Sequence, residues 1–349
     1  MRRPAAYRAV RTAVLAVVGM SLISPPLASA NPAKSRIRLA TLLPSGTSYH
    51  HILQEMGENW RKATGGEVLL TIYPDGTMGS EAEMVRRMRV GQLQAATLSV
   101  TGLSEIDPSV SALQKMPMMF RSLDEVEYVR SKLTPELDRR LLEKGFVVLC
   151  WGDAGWVRFF SRERAERPHD FKKMKMFVGA GDNSQVDIMK AAGYRPVPLE
   201  WSDALTGFQT GLIDAAPTVP FHALANQYYT VARHLLEVNW VPLVGATVIT
   251  KRAWDALPPP WREALAQAAA EAGRKIQARS REESNESVEA MKKRGLQVHA
   301  ISPALEAEWR RVAEEFYPKI RGAIVPAEMF DEVQRLLAGY RTSPAGGTK

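Results

Sequence analysis

Two series of short apolar segments alternate with segments of helical periodicity, and this alternation constrains the fold more than any other feature of the chain. The first series predicts strand, helix, strand, helix and strand at residues 37–43, 49–64, 68–73, 81–90 and 95–100. The second predicts strands at 146–150, 157–161, 175–178 and 195–198, with helices at 184–192 and 201–210. Strands separated by helices pair in parallel through right-handed crossovers, so the pattern predicts an α/β fold with mixed, mostly parallel sheets.

The C-terminal part predicts one further strand, at residues 241–250, and a very long helix over 261–294. A run of prolines precedes Trp261 and Gly295 follows the helix, as expected for its two ends. Shorter helices are predicted near 303–321 and 327–338, followed by a tail whose composition indicates disorder. A chain of 349 residues exceeds what one core usually holds, so we expect two domains.

The first thirty residues have the pattern of an export signal. Four arginines precede an apolar stretch at residues 13–23 that is too short to span a bilayer, and Ala28-Ser29-Ala30 fits a cleavage site. We expect cleavage after Ala30 and a periplasmic protein; an uncleaved N-terminal anchor is the alternative. No later segment has the roughly eighteen consecutive apolar residues of a membrane-spanning helix.

The charge balance argues against a nucleic-acid partner. The net charge is +8, but four of the 46 basic residues lie in the predicted signal, which has no acidic residue, so 42 basic residues against 38 acidic ones leave +4. The remaining basic residues are scattered or lie beside glutamates on predicted helices, as in Arg279 to Glu283. We interpret them as solvated helix faces.

Residue patterns typical of enzymes are missing from the sequence. The six histidines show no metal-ligand spacing, and neither a G-x-S-x-G turn nor a phosphate-binding loop occurs. Cys150 lies in an apolar segment that predicts a buried strand, which favours a structural cysteine over a nucleophile. We therefore expect neither catalysis nor a cofactor or metal. An enzyme on the same scaffold is the alternative, and Asp153 and Asp182 are the only acids we can place near a cleft.

Residues 170–220 carry a set of motifs with defined spacing. They include a basic strand motif, a G-x-x-P-x-P segment, the triplet Trp201-Ser202-Asp203 and a Gln-Thr-Gly-x-x-Asp turn; the matching positions are Asp170, Lys172, Lys175, Val178, Gly193, Pro196, Pro198, Gln209, Thr210, Gly211 and Asp214. Residues 72–81 and 90–93 add two weaker motifs in the expected order. Together they resemble the DctP-type substrate-binding proteins that serve TRAP transporters.

The resemblance implies the two-lobe periplasmic-binding-protein fold, with a long helix that bridges both lobes. We expect lobe I at residues 35–152 and 242–275, lobe II at 153–241 and 276–325, and a C-terminal helix with a disordered tail at 326–349. It also implies that a small-molecule ligand is captured between the lobes and delivered to the membrane permease subunits of a TRAP-type transporter.

The chain departs from the family at the ligand-facing positions. The resemblance implies one arginine on each of two neighbouring strands, which together hold a ligand carboxylate, but these positions fall on Val157 and Phe177. Strand alternation places Val157 and Phe159 on one face, and we expect Phe177 to join them from the neighbouring strand. The predicted ligand-binding residues are Val157, Phe159, Phe177, Trp201, Thr218, Phe221, Trp151, Trp156, Ser99 and Thr101.

An aromatic slot with few polar groups suits an apolar or amphipathic, lipid-like ligand. Two alternatives stay open. The protein could bind a small organic acid through a relocated cation, with Arg158, Arg162 and Lys175 as candidates. It could also be a lipid carrier that works with a partner other than a TRAP permease.

Overall fold

The structure, a computed structural model, describes residues 34–343. The predicted signal at residues 1–30 and most of the predicted tail lie outside the described residues. Within residues 34–343, no helix has the length and apolar character needed to cross a membrane.

The elements follow the predicted alternation. The first part contains β1 (Ser35–Thr41), α1 (Ser48–Ala63), β2 (Val68–Tyr73), α2 (Glu81–Arg89), β3 (Ala95–Ser99), α3 (Val100–Ser104) and α4 (Leu123–Glu143). The middle contains β4 (Phe146–Ser161), α5 (Pro168–Lys172), β5 (Lys175–Gly179), α6 (Asn183–Ala191), β6 (Arg195–Leu199), α7 (Ala204–Gln209), β7 (Ala215–Thr218) and α8 (Pro220–Ala225). The last part contains β8 (His234–Thr250), α9 (Lys251–Asp255), α10 (Pro259–Lys292), β9 (Gln297–His299), α11 (Pro303–Ile320) and α12 (Ala327–Thr342).

The strands form one sheet in the order β2-β1-β3-β8-β4-β7-β5-β6, with β9 beside β8. The outer pairs β1–β2, β1–β3, β5–β6 and β5–β7 are parallel, whereas β3–β8, β4–β8 and β4–β7 are antiparallel. The same strand arrangement therefore occurs on both sides of the central β8–β4 pair. The predicted α/β class with mixed, mostly parallel pairing is confirmed.

The central strands are longer than the sequence predicted. Residues 146–150 and 157–161 were expected as two strands, but β4 runs unbroken from Phe146 to Ser161. The strand accommodates the Gly152–Gly155 stretch with a register shift against β8 between Asp153 and Trp156. Asp153 stabilises the irregular segment by accepting hydrogen bonds from the Gly155 amide and from Ser280 on α10.

Helix α10 packs against both halves of the sheet, which lie on either side of the central β8–β4 pair. It contacts α1, β4 and α8, so the prediction of a long helix that spans both halves is confirmed. Gly273 allows its close approach, because a Cβ atom there would lie 2.8 Å from the Cβ of Cys150 and 3.1 Å from the carbonyl oxygen of Trp151. Cys150 itself is buried, as predicted. The residue boundaries of the two lobes stay a prediction.

Candidate functional site

A cavity of about 340 Å³ lies at the carboxyl ends of the parallel strands. Strands β1, β3, β5 and β7 end at Thr41, Ser99, Gly179 and Thr218, and all four residues line it. Ligands bind at this end of the strands in open α/β sheets, because the loops there leave a crevice. The two halves of the sheet both contribute walls, so a molecule in the cavity would contact both.

The structure brings nearly all the predicted site residues together. Those that line the cavity are Val157, Phe159, Phe177, Trp201, Thr218, Phe221, Trp151, Ser99 and Thr101. Trp156 does not line it and joins the buried cluster that contains Leu133 and Leu137. Neighbouring residues of a strand face opposite sides, so a cavity-facing Val157 turns Trp156 into the core. Contact between the lining residues and a ligand stays a prediction.

The expected common wall of Val157, Phe159 and Phe177 is wrong. Phe159 pairs with Pro217 and Met176 pairs with Ala215, so Phe159 and Met176 share one face of the sheet. Phe177 lies on the opposite face, in the cluster that contains Phe160 and Phe208. The face on which Phe177 lies is set by the register of β5 against β7 and of β7 against β4. Alternation within β4 alone cannot reveal these registers.

Phe177 is also more deeply buried than a ligand wall requires. Its side chain is 1% exposed, and its ring meets the Trp201 ring edge-on, with centroids 4.6 Å apart. Phe177 therefore serves mainly as core, with Trp201 resting against it. Val157 packs separately, in a cluster with Tyr49, Val219 and Phe221.

An aromatic group forms one end of the cavity. The Trp201 ring lies 4.9 Å from the His222 ring, and the Tyr49 ring lies 4.6 Å from the Phe221 ring. Gly179 makes room for Trp201, because a Cβ atom at residue 179 would lie 2.9 Å from its Nε1 atom. This end of the cavity thus offers large apolar surfaces with few polar atoms.

His222 and Tyr49 are site residues that sequence reasoning missed. His222 Nδ1 lies 3.5 Å from Thr218 Oγ1, and burial lowers the pKa of His222 to about 4, which keeps the ring neutral at pH 7. The buried Tyr49 hydroxyl has no hydrogen-bond partner within the described structure. Burial raises the pKa of Tyr49, and the nearby Glu283 and Asp153 raise it further. The available signal was the position of His222 in the loop and short helix that follow Thr218 at the end of β7.

Lys115 is the one cationic side chain among the described residues that line the cavity. Its Nζ atom lies 2.9 and 3.0 Å from the two carboxylate oxygens of Asp182, the residue that caps the start of α6. Both side chains are largely buried, with 12% and 6% exposed. The pair links the two halves of the sheet, and the negative charge of Asp182 neutralises the positive charge of Lys115.

Glu81, another buried carboxylate on the lining, is held by the protein. It accepts hydrogen bonds from the backbone and hydroxyl of Ser99 and from the Gly102 amide. Burial nevertheless raises the pKa of Glu81. Ser99, predicted as a ligand-binding residue, is thus already engaged by Glu81.

The predicted substitutes for the missing arginines do not reach the cavity. Arg158 Nη1 donates to Glu237 Oε1 at 3.0 Å, on the face that strand alternation predicted. Arg162 and Lys175 lie 3.9 and 3.8 Å from Asp214. None of the three is among the lining residues that the structure describes.

The sequence is similar to those of known bacterial solute-binding proteins. Residues 39–322 match the family model "Bacterial extracellular solute-binding protein, family 7". The chain is 26% identical over 255 residues to the 2,3-diketo-L-gulonate-binding periplasmic protein of Escherichia coli, a match that covers 72% of the chain and 76% of the relative. It is 24% identical over 253 residues to the C4-dicarboxylate-binding periplasmic protein of Rhodobacter capsulatus, again covering 72% and 76%.

Solved structures show the same fold. A TRAP periplasmic solute binding protein from Xanthobacter autotrophicus with bound β-D-galacturonate matches with a TM-score of 0.79 at 21% identity, covering 86% of this chain and 99% of its own. A protein of the same type from Shewanella oneidensis with bound succinate matches with a TM-score of 0.81 at 20% identity, covering 87% and 100%. The fold is therefore that of the two-lobe TRAP periplasmic binding proteins.

Proposed function

The chain belongs to family 7 of the bacterial extracellular solute-binding proteins, and from this premise we propose that it captures an apolar or amphipathic molecule and delivers it to the membrane permease subunits of a TRAP-type transporter. It is a periplasmic solute-binding protein for small ligands, like its curated relatives. The nature of the ligand, the lobe closure and the permease partner are parts of the proposal.

The observation that carries the proposed ligand class is that, among the described residues that line the cavity, the one cationic side chain, Lys115, is already paired within the protein. Val157 and Phe177 occupy the positions where the family resemblance implies arginines, and Lys115 is paired with Asp182. A carboxylate is bound tightly when a guanidinium meets it with two charge-assisted hydrogen bonds. An apolar ligand needs no such partner, and aromatic walls such as Trp201 and Phe221 suit it.

The pairing of Lys115 with Asp182 supports the proposed closure of the two lobes. Lys115 belongs to proposed lobe I and Asp182 to proposed lobe II, so their contact forms only when the lobes approach each other. The proposed route to the periplasm is export with cleavage after Ala30, for which the sequence pattern of residues 1–30 is the support.

Titration calorimetry with two probes tests the ligand class. We expect decanol to bind and succinate not to bind. Strong binding of succinate together with no binding of decanol would contradict the proposal.

A second candidate is a binding protein for a small organic acid, and the position of Lys115 on the lining favours it. The solved relatives hold β-D-galacturonate and succinate, and a ligand carboxylate could replace Asp182 as the partner of Lys115. In that case Lys115→Gln would abolish succinate binding, and the affinity would decrease as salt increases. The same two titrations therefore separate the two candidates.

A further inference from the structure

The cavity also extends into a space between α6 and α11, since both helices contribute residues to its lining. We call this space the side chamber and define it by Met189, Tyr194, Trp240, Trp309, Phe316 and Ile320, all of which line the cavity. Met189 and Tyr194 are contributed by α6 and the residues after it, and Trp309, Phe316 and Ile320 by α11. No residue pattern in the sequence predicts this extension.

The floor of the side chamber is apolar. The Trp309 ring lies 5.1 Å from the Phe159 ring and 5.4 Å from the Trp240 ring. Trp309 Nε1 donates to the carbonyl oxygen of Glu166 at 2.8 Å, so its polar atom is already satisfied within the protein. Trp309 is 1% exposed, so the surface left for a ligand belongs to the half-buried Met189, Tyr194, Trp240 and Phe316. Most of that surface is hydrocarbon, which favours a hydrocarbon group.

The side chamber and the aromatic group lie on opposite faces of the sheet. Trp309 and Trp240 contact Phe159 on one face, whereas Trp201 contacts Phe177 on the other. The cavity therefore passes around the carboxyl ends of β5 and β7. An elongated molecule that follows this path can touch both regions.

The end of the cavity near Trp201 provides hydrogen-bonding groups without charge. Thr218 and His222 lie there within 3.5 Å of each other, and the low pKa of His222 keeps its ring neutral at pH 7. A neutral imidazole and a hydroxyl can each donate or accept a hydrogen bond. They suit a hydroxyl or carbonyl group better than a carboxylate, which would lack a counter-ion there.

We propose that the side chamber is a tail-binding subsite and that the ligand is an elongated amphiphile, with an uncharged hydrogen-bonding head at Thr218 and His222 and a hydrocarbon tail in the side chamber. This inference rests on the proposed function and narrows it to one class of apolar ligand.

A series of straight-chain alcohols tests the subsite by titration with the intact protein. Across hexanol, octanol, decanol and dodecanol, the affinity should rise about fourfold per added methylene, as expected for full burial of each group. An affinity that does not change with chain length would overturn the subsite while leaving an apolar binding site in place. If no alcohol of any length binds, the proposed function fails, and the subsite fails with it.

A matched pair of variants locates the tail. Ala192 lines the cavity beside the side chamber, whereas its neighbour Ala191 is exposed and lies outside the lining. Ala192→Trp should weaken dodecanol binding at least tenfold and leave hexanol binding unchanged, and Ala191→Trp should change neither. Equal losses for both alcohols in Ala192→Trp, or no loss for either, would overturn the placement of the tail. Thermal melting of both variants checks that they are folded.

Discussion

At the scale of single residues, Trp201 has the side chain best placed to report on a ligand. It is half-buried, lines the cavity and rests on the core residue Phe177. Truncation to alanine should weaken binding of an apolar ligand about tenfold or more, since burial of a large apolar side chain against a ligand contributes roughly 1.5–3 kcal/mol. Calorimetric titration measures the loss. Trp254→Ala, at a half-buried tryptophan outside the lining, should leave the affinity unchanged.

His222 makes a prediction about stability and pH. Burial lowers its pKa from the usual 6.5 to about 4, so the unfolded chain binds more protons than the folded protein between these values. Its contribution to stability is therefore fully present above pH 6.5 and is lost as the pH falls towards 4, with a slope of at most about 1.4 kcal/mol per pH unit. Urea unfolding across this range should show a shallower slope for His222→Asn. The exposed His51→Asn should retain the slope of the wild type, and an unchanged slope in His222→Asn would contradict the prediction.

The contrast between Val157 and Phe177 shows what the sequence can reveal about single residues. The motif spacing placed both at the positions where the family resemblance implies arginines, and both line the cavity. It could not show that Phe177 is buried against Phe208 in the core, because that depends on how α7 packs on the sheet. Truncation of Phe177 should therefore reduce stability as well as binding, which makes Trp201 the clearer probe.

At the scale of elements, α6 is tied to the opposite half of the sheet through its first residues. Asp182 accepts a hydrogen bond from the Gln185 amide, as the N-cap of the helix, and also binds Lys115. Asp182→Asn keeps the cap but removes the charge opposite a largely buried lysine, which should lower the free energy of unfolding by about 3 kcal/mol. Asp187→Asn, on the exposed face of the same helix, should change it by less than about 0.5 kcal/mol. Equal effects of the two substitutions in urea unfolding would contradict the structural role of the pair.

The elements differ in how well the sequence predicted them. Helix α1 has a clear apolar stripe in which Leu53, Met56 and Trp60 are buried, and it was predicted almost to its ends. Strand β4 was predicted as two strands, at residues 146–150 and 157–161. Its continuity depends on pairing with β8 and on contacts with α10, and both lie far away in sequence.

At the scale of the whole molecule, the two halves of the sheet meet at the β4–β8 pair, around which we propose that the two lobes close. A ligand that contacts both halves should shift the population towards a closed form, because it binds that form better. Small-angle scattering should therefore show a smaller radius of gyration with saturating decanol than without it. An unchanged radius at saturation would contradict closure.

The repeated strand arrangement is a property that the sequence did not show. The order β2-β1-β3-β8 on one side matches β6-β5-β7-β4 on the other, yet we found no internal repeat in the residues. Different side chains satisfy the same packing requirement, so the repeat is visible only in the topology. The position of the cavity at the strand ends was predictable, because it follows from the α/β fold. Its extension to α11 was not predictable, because it depends on how that helix packs.

The most direct test of the proposed ligand class is non-denaturing mass spectrometry of the protein purified from the periplasm of its native host. We expect a bound molecule that is extracted into organic solvent, carries a long hydrocarbon chain and is displaced by dodecanol. A small water-soluble organic acid in its place, retained by the wild type and lost in Lys115→Gln, would contradict the apolar ligand and establish the second candidate instead.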